Sequence, residues 1–321
     1  MSLQDFRGQG PPGDIGTFVL PVSGIVYQSI FSGTTYIVAA RQGTRGWVLV
    51  DYGTVVATVI NNALTACVSV CLMEGNYSLS VTILMDVNRS LVGVNRDTVI
   101  LTKAFNGSAI TNLGGAGSGN NNLKLENFTL NCAKATQTGN GIDIRKSADI
   151  QIDNLHVYNA QDVGIYGTGT GIARWRISHS EIDGCTTRGV SITQGSKYNI
   201  VHNCYIHDNT GDGIGFFTSS ESNIVADNII NSNGGYGVYF YQVNKSTVVG
   251  NTFYHNTNHG IYLTGTSGTP SIYNTVSGNT FDDMVTDGIN LIHADYNTLI
   301  GNVAYSCRDG ISLENADWNI V

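Results

Sequence analysis

Charge is scarce in this chain of 321 residues: only 12% are Asp, Glu, Lys or Arg. The balance of 16 Lys and Arg against 24 Asp and Glu gives a formal net charge of −8. Nucleic-acid binding through the phosphate backbone needs clustered positive charge, so that class is excluded. No apolar run is long enough to cross a bilayer, and no signal peptide is visible at the start. Proline is limited to 4 residues. The 6 cysteines form no CxxC pair, which excludes the common zinc and redox motifs and leaves buried structural thiols as the reading.

Glycine (39 residues) and asparagine fill the space that charge vacates. They recur in a fixed pattern: YNIVHNCYIHDNTGDGIGF, SNIVADNIINSNGGYGVYF, STVVGNTFYHNTNHGIYL, YNTVSGNTFDDMVTDGINL and YNTLIGNVAYSCRDGISL. The leading Asn or its equivalent stands at 199, 223, 246 (Ser), 274, 297 and 319, giving spacings of 24, 23, 28, 23 and 22. The long spacing contains TGTSGTPS, read as a surface loop. Weaker copies, DIQIDNLHVYNAQDVGIYG and WRISHSEIDGCTTRGVSI, come before. A period in the low twenties suits three short strands joined by bends, one coil of a parallel β-helix. Groups such as Ile200, Ile206 and Ile214 supply the strand signals within a coil.

Coils stacked about 4.8 Å apart turn equivalent positions into columns. One column holds Asn199, Asn223, Asn274, Asn297 and Asn319; a second holds Asn154, Asn228, Asn251, Asn279 and Asn302, with Ser180 and Cys204 as substitutes. Stacked amides can donate to one coil and accept from the next, and Asn tolerates the left-handed backbone of a tight bend. High thermal stability is expected where such ladders are continuous. Before the repeats, residues 54–66 carry Val56, Val59, Ile60, Ala63 and Leu64 at helical spacing, the signature of a short helix capping the apolar end of the stack. A hairpin around Gly43 to Gly46 precedes it. The expected organisation is an extension and hairpin over 1–50 and a β-helix over 51–321, clearest over 122–321. The last residues, DWNIV, open another coil, so the chain is expected to continue or to meet a partner there.

The order of helix, EGNYSL, NRSLVGVNRDTVIL and repeated NxVxGNxF…DGIxL resembles right-handed parallel β-helix proteins of the pectate-lyase-like superfamily, including viral and archaeal members and phage tailspikes. The resemblance covers roughly residues 45 to 321 and implies an all-β solenoid with a short N-terminal helix. It also implies a polysaccharide or cell-surface glycan as partner, and an extracellular, cell-surface or virion location. A trimer is implied if the chain assembles as tailspikes do. The superfamily hosts lyases, hydrolases, epimerases and adhesins, so fold alone leaves enzyme and scaffold both open.

Chemistry would have to come from a column facing solvent. The residue before each turn glycine is Val163, Arg188, Asp212, Tyr236, His259, Asp287 and Asp309, and five of these seven can carry charge. For an enzyme, Asp212, Asp287 or Asp309 would be acid or base with His259 assisting, while Arg188 and Tyr236 would bind sugar. Asp before Gly is also a favoured turn pair, so a structural reading competes. Simple alternation from Ile261 would point His259 inward. The phrase NHGIYLTG resembles the GHG phrase of polygalacturonases, yet Tyr236 stands where their acidic pair belongs, and no RIK or DPH phrase is present. Calcium-dependent lyase action would need Ca2+, for which Asp282, Asp283 and Asp287 are the local acids and Arg308 the nearby base; otherwise no cofactor is implied. A further aromatic column, Tyr198, Tyr273, Tyr296 and Trp318, would stack either on sugars, with Tyr296 as a contact, or on itself.

Overall fold

The computed structural model of the chain describes residues 23–44, 46–112 and 122–321. Each coil contributes one short strand to each of three parallel sheets, as Ile200–His202, Tyr205–His207 and Asp212–Phe217 do in one coil. Among the described residues the first sheet has 13 strands and the second and third have 10 each. Register is kept without slips: Ile200 pairs with Ile224, then Thr247, Thr275 and Thr298. The extra residues TGTSGTPS close on themselves through Thr266 and Thr269, and the coil then resumes its register, as expected for a surface loop.

Inside, the sheets enclose one continuous core. Phe253 and Phe281 stack at 4.9 Å between ring centres in the same column as Ile182, Ile206 and Ile230. The helix Val56–Ala66 lies over the first coils and buries Val56, Ala57, Val59, Ile60, Ala63 and Leu64, which covers the apolar end as the sequence predicts. The hairpin of Thr34–Gly43 and Gly46–Gly53 pairs Gly43 with Gly46. A preceding strand, Gly24–Phe31, pairs antiparallel with it and parallel with the first coil at Ser69–Leu72, so strand pairing runs unbroken from the N-terminal strands into the β-helix. Residues 1–22, part of the expected extension, lie outside the described residues. No described helix is long and apolar enough to cross a membrane. All six cysteines are unpaired, and burial pushes the Cys185 and Cys204 thiols up to about 12, beyond reach of ordinary thiolate chemistry.

Bends are built from two residues with separate tasks. The first takes the left-handed backbone and the second turns its side chain inward. In the bend leading to the second sheet the first position is Asn203, Asp227 or Gly250, each with positive φ. The second is Cys204, Asn228 or Asn251, all buried. The ladder Asn therefore does not occupy the left-handed position; its predecessor does. Asn154 (φ 50°) belongs to that predecessor set and bonds Asn127, while the buried Leu155 holds the ladder position, which corrects the placement of Asn154 in the column.

Ladder amides are fully engaged. Asn251 Oδ1 accepts from both the backbone N–H and Nδ2 of Asn228, each at 2.9 Å. Its own Nδ2 donates to the Val225 carbonyl at 2.9 Å and to Asn279 Oδ1 at 3.0 Å. The first column behaves likewise, from Asn199 to Asn223 at 2.8 Å and from Asn274 to Asn297 at 3.0 Å, with the Ser246 hydroxyl between. A third column that the sequence reading does not identify, Asn209, Asn233 and Asn256, fills the bend into the third sheet. Asn251→Ala would strand two buried donors of Asn228, so a loss of about 2–4 kcal/mol in unfolding free energy is expected in denaturant titration. Thr252→Ala, on the exposed side of the same coil, should cost under about 0.5 kcal/mol.

Candidate functional site

The turn glycines explain which way the preceding column faces. None of Gly164, Gly189, Gly213, Gly237, Gly260 and Gly288 needs positive φ; each is glycine for lack of room. A Cβ on Gly260 would lie 2.3 Å from the Phe281 ring, and one on Gly213 would lie 2.8 Å from Ile230. Glycine thus takes an inward position next to the inward Ile261, and the irregularity swings His259 out onto the third sheet. Strict alternation, which would have buried His259, does not hold here.

Outward facing does not mean free. Asp212 Oδ1 accepts the backbone N–H of Tyr236 at 3.0 Å, one coil on, and its Oδ2 accepts from Arg188 Nε at 2.7 Å. His259 Nδ1 accepts the backbone N–H of Asp287 at 3.3 Å and meets the Thr286 hydroxyl at 3.0 Å. That requires an unprotonated Nδ1 and puts the ring proton on Nε2. Burial lowers the His259 pKa and the Arg308 charge acts with it, while Asp287 opposes them. The 3.3 Å approach of Nδ1 to the Asp287 carboxylate is accordingly a contact of a neutral ring.

Asp287 has no exposed side-chain surface. Its carboxylate receives Arg308 through Nε at 3.0 Å and Nη2 at 2.9 Å, and Asn290 Nδ2 at 3.1 Å. Burial works to raise its pKa, but these hydrogen bonds and the neighbouring His259 and Arg308 hold it below the ordinary value. Asp309 is exposed and shares Arg308 at 3.5 Å. Asp282 sits on the second sheet and Asp283 in a bend against His255 at 3.0 Å, so these two do not join Asp287 in one acidic patch.

Between the two ion pairs lies an aromatic surface. Tyr236 is nearly parallel to His259 (5.6 Å, 12°) and packs on Tyr262 at 4.6 Å; Tyr262 stacks on Tyr239 at 5.3 Å. Phe217 meets Tyr239 edge-on and carries the Arg188 guanidinium 4.5 Å from its ring centre. Burial and the neighbouring phenols raise Tyr236 and push Tyr239 up to about 12, so both are neutral donors at physiological pH. The structure thus brings Arg188, Asp212, Tyr236, His259 and Asp287 onto one face and adds Phe217, Tyr239, Tyr262 and Arg308. Tyr296 is elsewhere: it lies in the bend before the first sheet, stacked between Tyr273 (5.5 Å) and Trp318 (6.3 Å). All three rings there have left-handed backbones and are exposed.

Two other polar groupings have no sequence signature beyond column arithmetic. A cleft of about 270 Å³ on the first sheet is lined by Lys124, Glu126, Asp153, Arg176, His179 and His202, among others. There Asp153 takes His179 Nδ1 at 2.8 Å and the Ser178 hydroxyl at 2.7 Å. On the second sheet His156, Glu181, Asp183 and His207 meet across three coils.

The sequence pattern of the right-handed β-helix region matches residues 108–276. Among solved structures the chain is similar to ORF18 of Geobacillus virus E2, with TM-score 0.66 and 14% identity over 88% of this chain and 67% of that one. It is similar to tailspike protein 2 of Escherichia coli O157:H7 bacteriophage CAB120, with TM-score 0.64 and 12% identity over 83% of this chain and 40% of the tailspike. It is also similar to the alginate lyase of Paenibacillus sp. str. FPU-7, with TM-score 0.62 and 13% identity over 82% and 97%. A comparison with curated protein sequences finds no match.

Gly260→Ala should cost about 1–3 kcal/mol through overpacking, whereas Gly310→Ala, whose Cβ would have 3.6 Å to Ala304, should cost less; denaturant titrations of both check this. Acid should weaken the fold in two phases. Folded His259 titrates below its ordinary 6.5, so the unfolded chain binds that proton first and stability drops as pH falls below 6.5. Asp287 titrates below its ordinary 3.8, so its contribution persists above that pH and is lost as pH falls further. His202, lowered from the same ordinary value by burial, adds to the first phase, so His259→Asn, which keeps an acceptor for the Asp287 amide, should reduce that phase and leave the second unchanged in unfolding curves taken between pH 7 and 3.

Proposed function

The chain belongs to the right-handed β-helix family, and from that premise we propose that it is a glycan-binding rod of a virion or extracellular surface, with the third sheet as its binding face. The observation that carries this reading is the aromatic surface of Tyr236, Tyr239, Tyr262 and His259, framed by the Arg188–Asp212 and Arg308–Asp287 pairs. Aromatic rings cover the apolar faces of sugars, while a phenol, an imidazole N–H and guanidinium edges address hydroxyls and carboxylates. The phage tailspike and the alginate lyase are relatives in fold whose names accord with a glycan partner.

The same geometry favours binding over hydrolysis. A glycosidase needs two carboxyl groups about 5 to 9.5 Å apart, one of them able to hold a proton. Asp212 and Asp287 are separated by three coils, roughly 14 Å at strand spacing. Asp287 and Asp309 are on neighbouring coils, but Asp287 is closed off and held ionised by Arg308. In this reading Asp212 holds Arg188 and the Tyr236 amide, Asp287 holds Arg308, and His259 accepts the Asp287 amide at Nδ1 and contributes its Nε2–H to the ligand.

A polysaccharide panel presented to the immobilised chain tests the proposal, with reducing ends and unsaturated uronide absorbance read in parallel. Retention of at least one polymer without product is expected. Tyr262→Ala should weaken that binding about 5- to 10-fold, in keeping with about 1 kcal/mol for one stacked aromatic. Product release, or binding indifferent to Tyr262→Ala and Arg188→Ala, would overturn it.

A further inference from the structure

The cleft of about 270 Å³ on the first sheet spans four coils and belongs to a different wall from the aromatic face. Two outward columns form it. One runs Lys124, Gln151, Arg176; the other runs Glu126, Asp153, Ser178, His202, one coil per step. His179, in the bend beside Ser178, adds a ring to the lining.

Contacts within the cleft engage some polar atoms and leave others. Lys124 Nζ and Glu126 Oε2 pair at 2.5 Å along one strand. Ser178 Oγ donates to Asp153 Oδ1 at 2.7 Å, and His179 Nδ1 meets the same oxygen at 2.8 Å. Asp153 Oδ2 and Glu126 Oε1 are therefore unclaimed acceptors, one coil apart in one column. Neither carboxylate pairs with Arg176. That guanidinium has no hydrogen-bond or ion-pair partner among the described residues, and its column neighbour Gln151 has none either. Unclaimed donors thus line one side and unclaimed acceptors the other.

His202 supplies an independent observation. Its Nε2 is closed off from solvent and has no hydrogen-bond partner. Asn203 Nδ2 stands 3.1 Å from the other ring nitrogen, Nδ1, which leaves the ring N–H at Nε2. Burial, together with the charges of Arg176 and His179, lowers the His202 pKa against the opposing pull of Asp153 and Asp227. Guanidinium and imidazole therefore share one corner of the cleft. A buried N–H without an acceptor is costly and calls for one from outside the chain.

We propose that this cleft binds a small hydroxycarboxylate, its carboxylate on Arg176 and the His202 N–H, its hydroxyls on Asp153 Oδ2 and Glu126 Oε1. A guanidinium fork matches the two oxygens of a carboxylate, and carboxylate oxygens accept from alcohol O–H groups. Both kinds of unclaimed atom are then used, which neither a bare anion nor a neutral polyol achieves. His179, exposed and edge-on to His202 at 5.7 Å, is the ring that turns aside to admit the ligand to Nε2. The volume falls just below the range for drug-sized ligands and suits a chain of about six carbons. The site does not depend on the glycan-binding reading of the third sheet.

Sodium gluconate titrated into the full chain by calorimetry tests the site, with histidine side-chain NMR to report its place. Three comparisons separate the contributions: sorbitol lacks only the carboxylate, propionate lacks the hydroxyls, and inorganic phosphate is a bare oxyanion. One gluconate per chain is expected, with a dissociation constant on the order of 1 mM. The three comparisons should bind about 10-fold more weakly or not at all. Resonances of His179 and His202 should shift while those of His259 stay in place. Arg176→Gln should weaken gluconate about 10-fold, whereas Arg174→Gln, which removes a neighbouring guanidinium paired with Asp149, should leave it unchanged. Absence of gluconate binding by the parent chain, comparisons that bind as well as gluconate, or indifference to Arg176→Gln would overturn the site. So would gluconate shifts confined to His259.

Discussion

The amide-to-amide bond between successive coils is the constraint on which this fold rests. A side chain that accepts from the coil before and donates to the carbonyl of that same coil, while reaching the next amide, works only if each coil repeats the backbone of its neighbour. Asn228 and Asn251 show the arrangement in full, with every polar atom of the buried amide used. Slip by one residue would leave those groups unpaired in a dry core, at about 1–3 kcal/mol apiece. The ladders thus enforce register as well as stability, and register is what turns a repeat into columns of side chains.

A second constraint, room at the turn glycine, decides what those columns can do. Because Gly260 must clear the Phe281 ring, the residue before it leaves the core, and its backbone neighbour on the next coil is left seeking an acceptor. Asp212 and His259 supply one. The charged residues that would attract notice as acids and bases are therefore committed to holding the backbone and to pairing with arginines. The surface between the two ion pairs is aromatic, and that shift from acid to ring moves the functional reading from cleavage toward recognition.

Much of this was legible in the chain itself because a translational repeat copies sequence spacing directly into space. Period, strand groups, two Asn columns, the capping helix and the membership of the pre-glycine column could all be read by alignment. Its facing could not, since alternation along a strand fails at an irregularity set by a ring 21 residues away, Phe281 against Gly260. Asn154 reads as a ladder residue by spacing yet holds the left-handed first position, because Asn suits both members of a bend, the left-handed first and the inward second. The third ladder was hidden by Cys185, Met284 and Cys307 at equivalent places. Tyr296 shares chemistry with the tyrosines of the third sheet but not their face. The histidine–carboxylate lattice joins residues diagonal to one another on different coils, a relation that no single column displays.

Three sheets of one rod carry three chemistries: a polar cleft on the first, imidazoles and carboxylates on the second, aromatic rings on the third. A polymer lying along the rod axis would meet the third-sheet column afresh every 4.8 Å or so, coil after coil. Contacts that are individually weak then add within one molecule, since each occupied position raises the effective concentration of the next. Such a surface needs no deep pocket and no single dominant residue. Its demand is rigidity over several coils, because addition fails once neighbouring positions drift. Ladders that lock each coil to the next meet that demand from inside the wall. The features that make the rod stiff are in this sense part of how it would hold a glycan, not merely the frame on which binding residues are mounted.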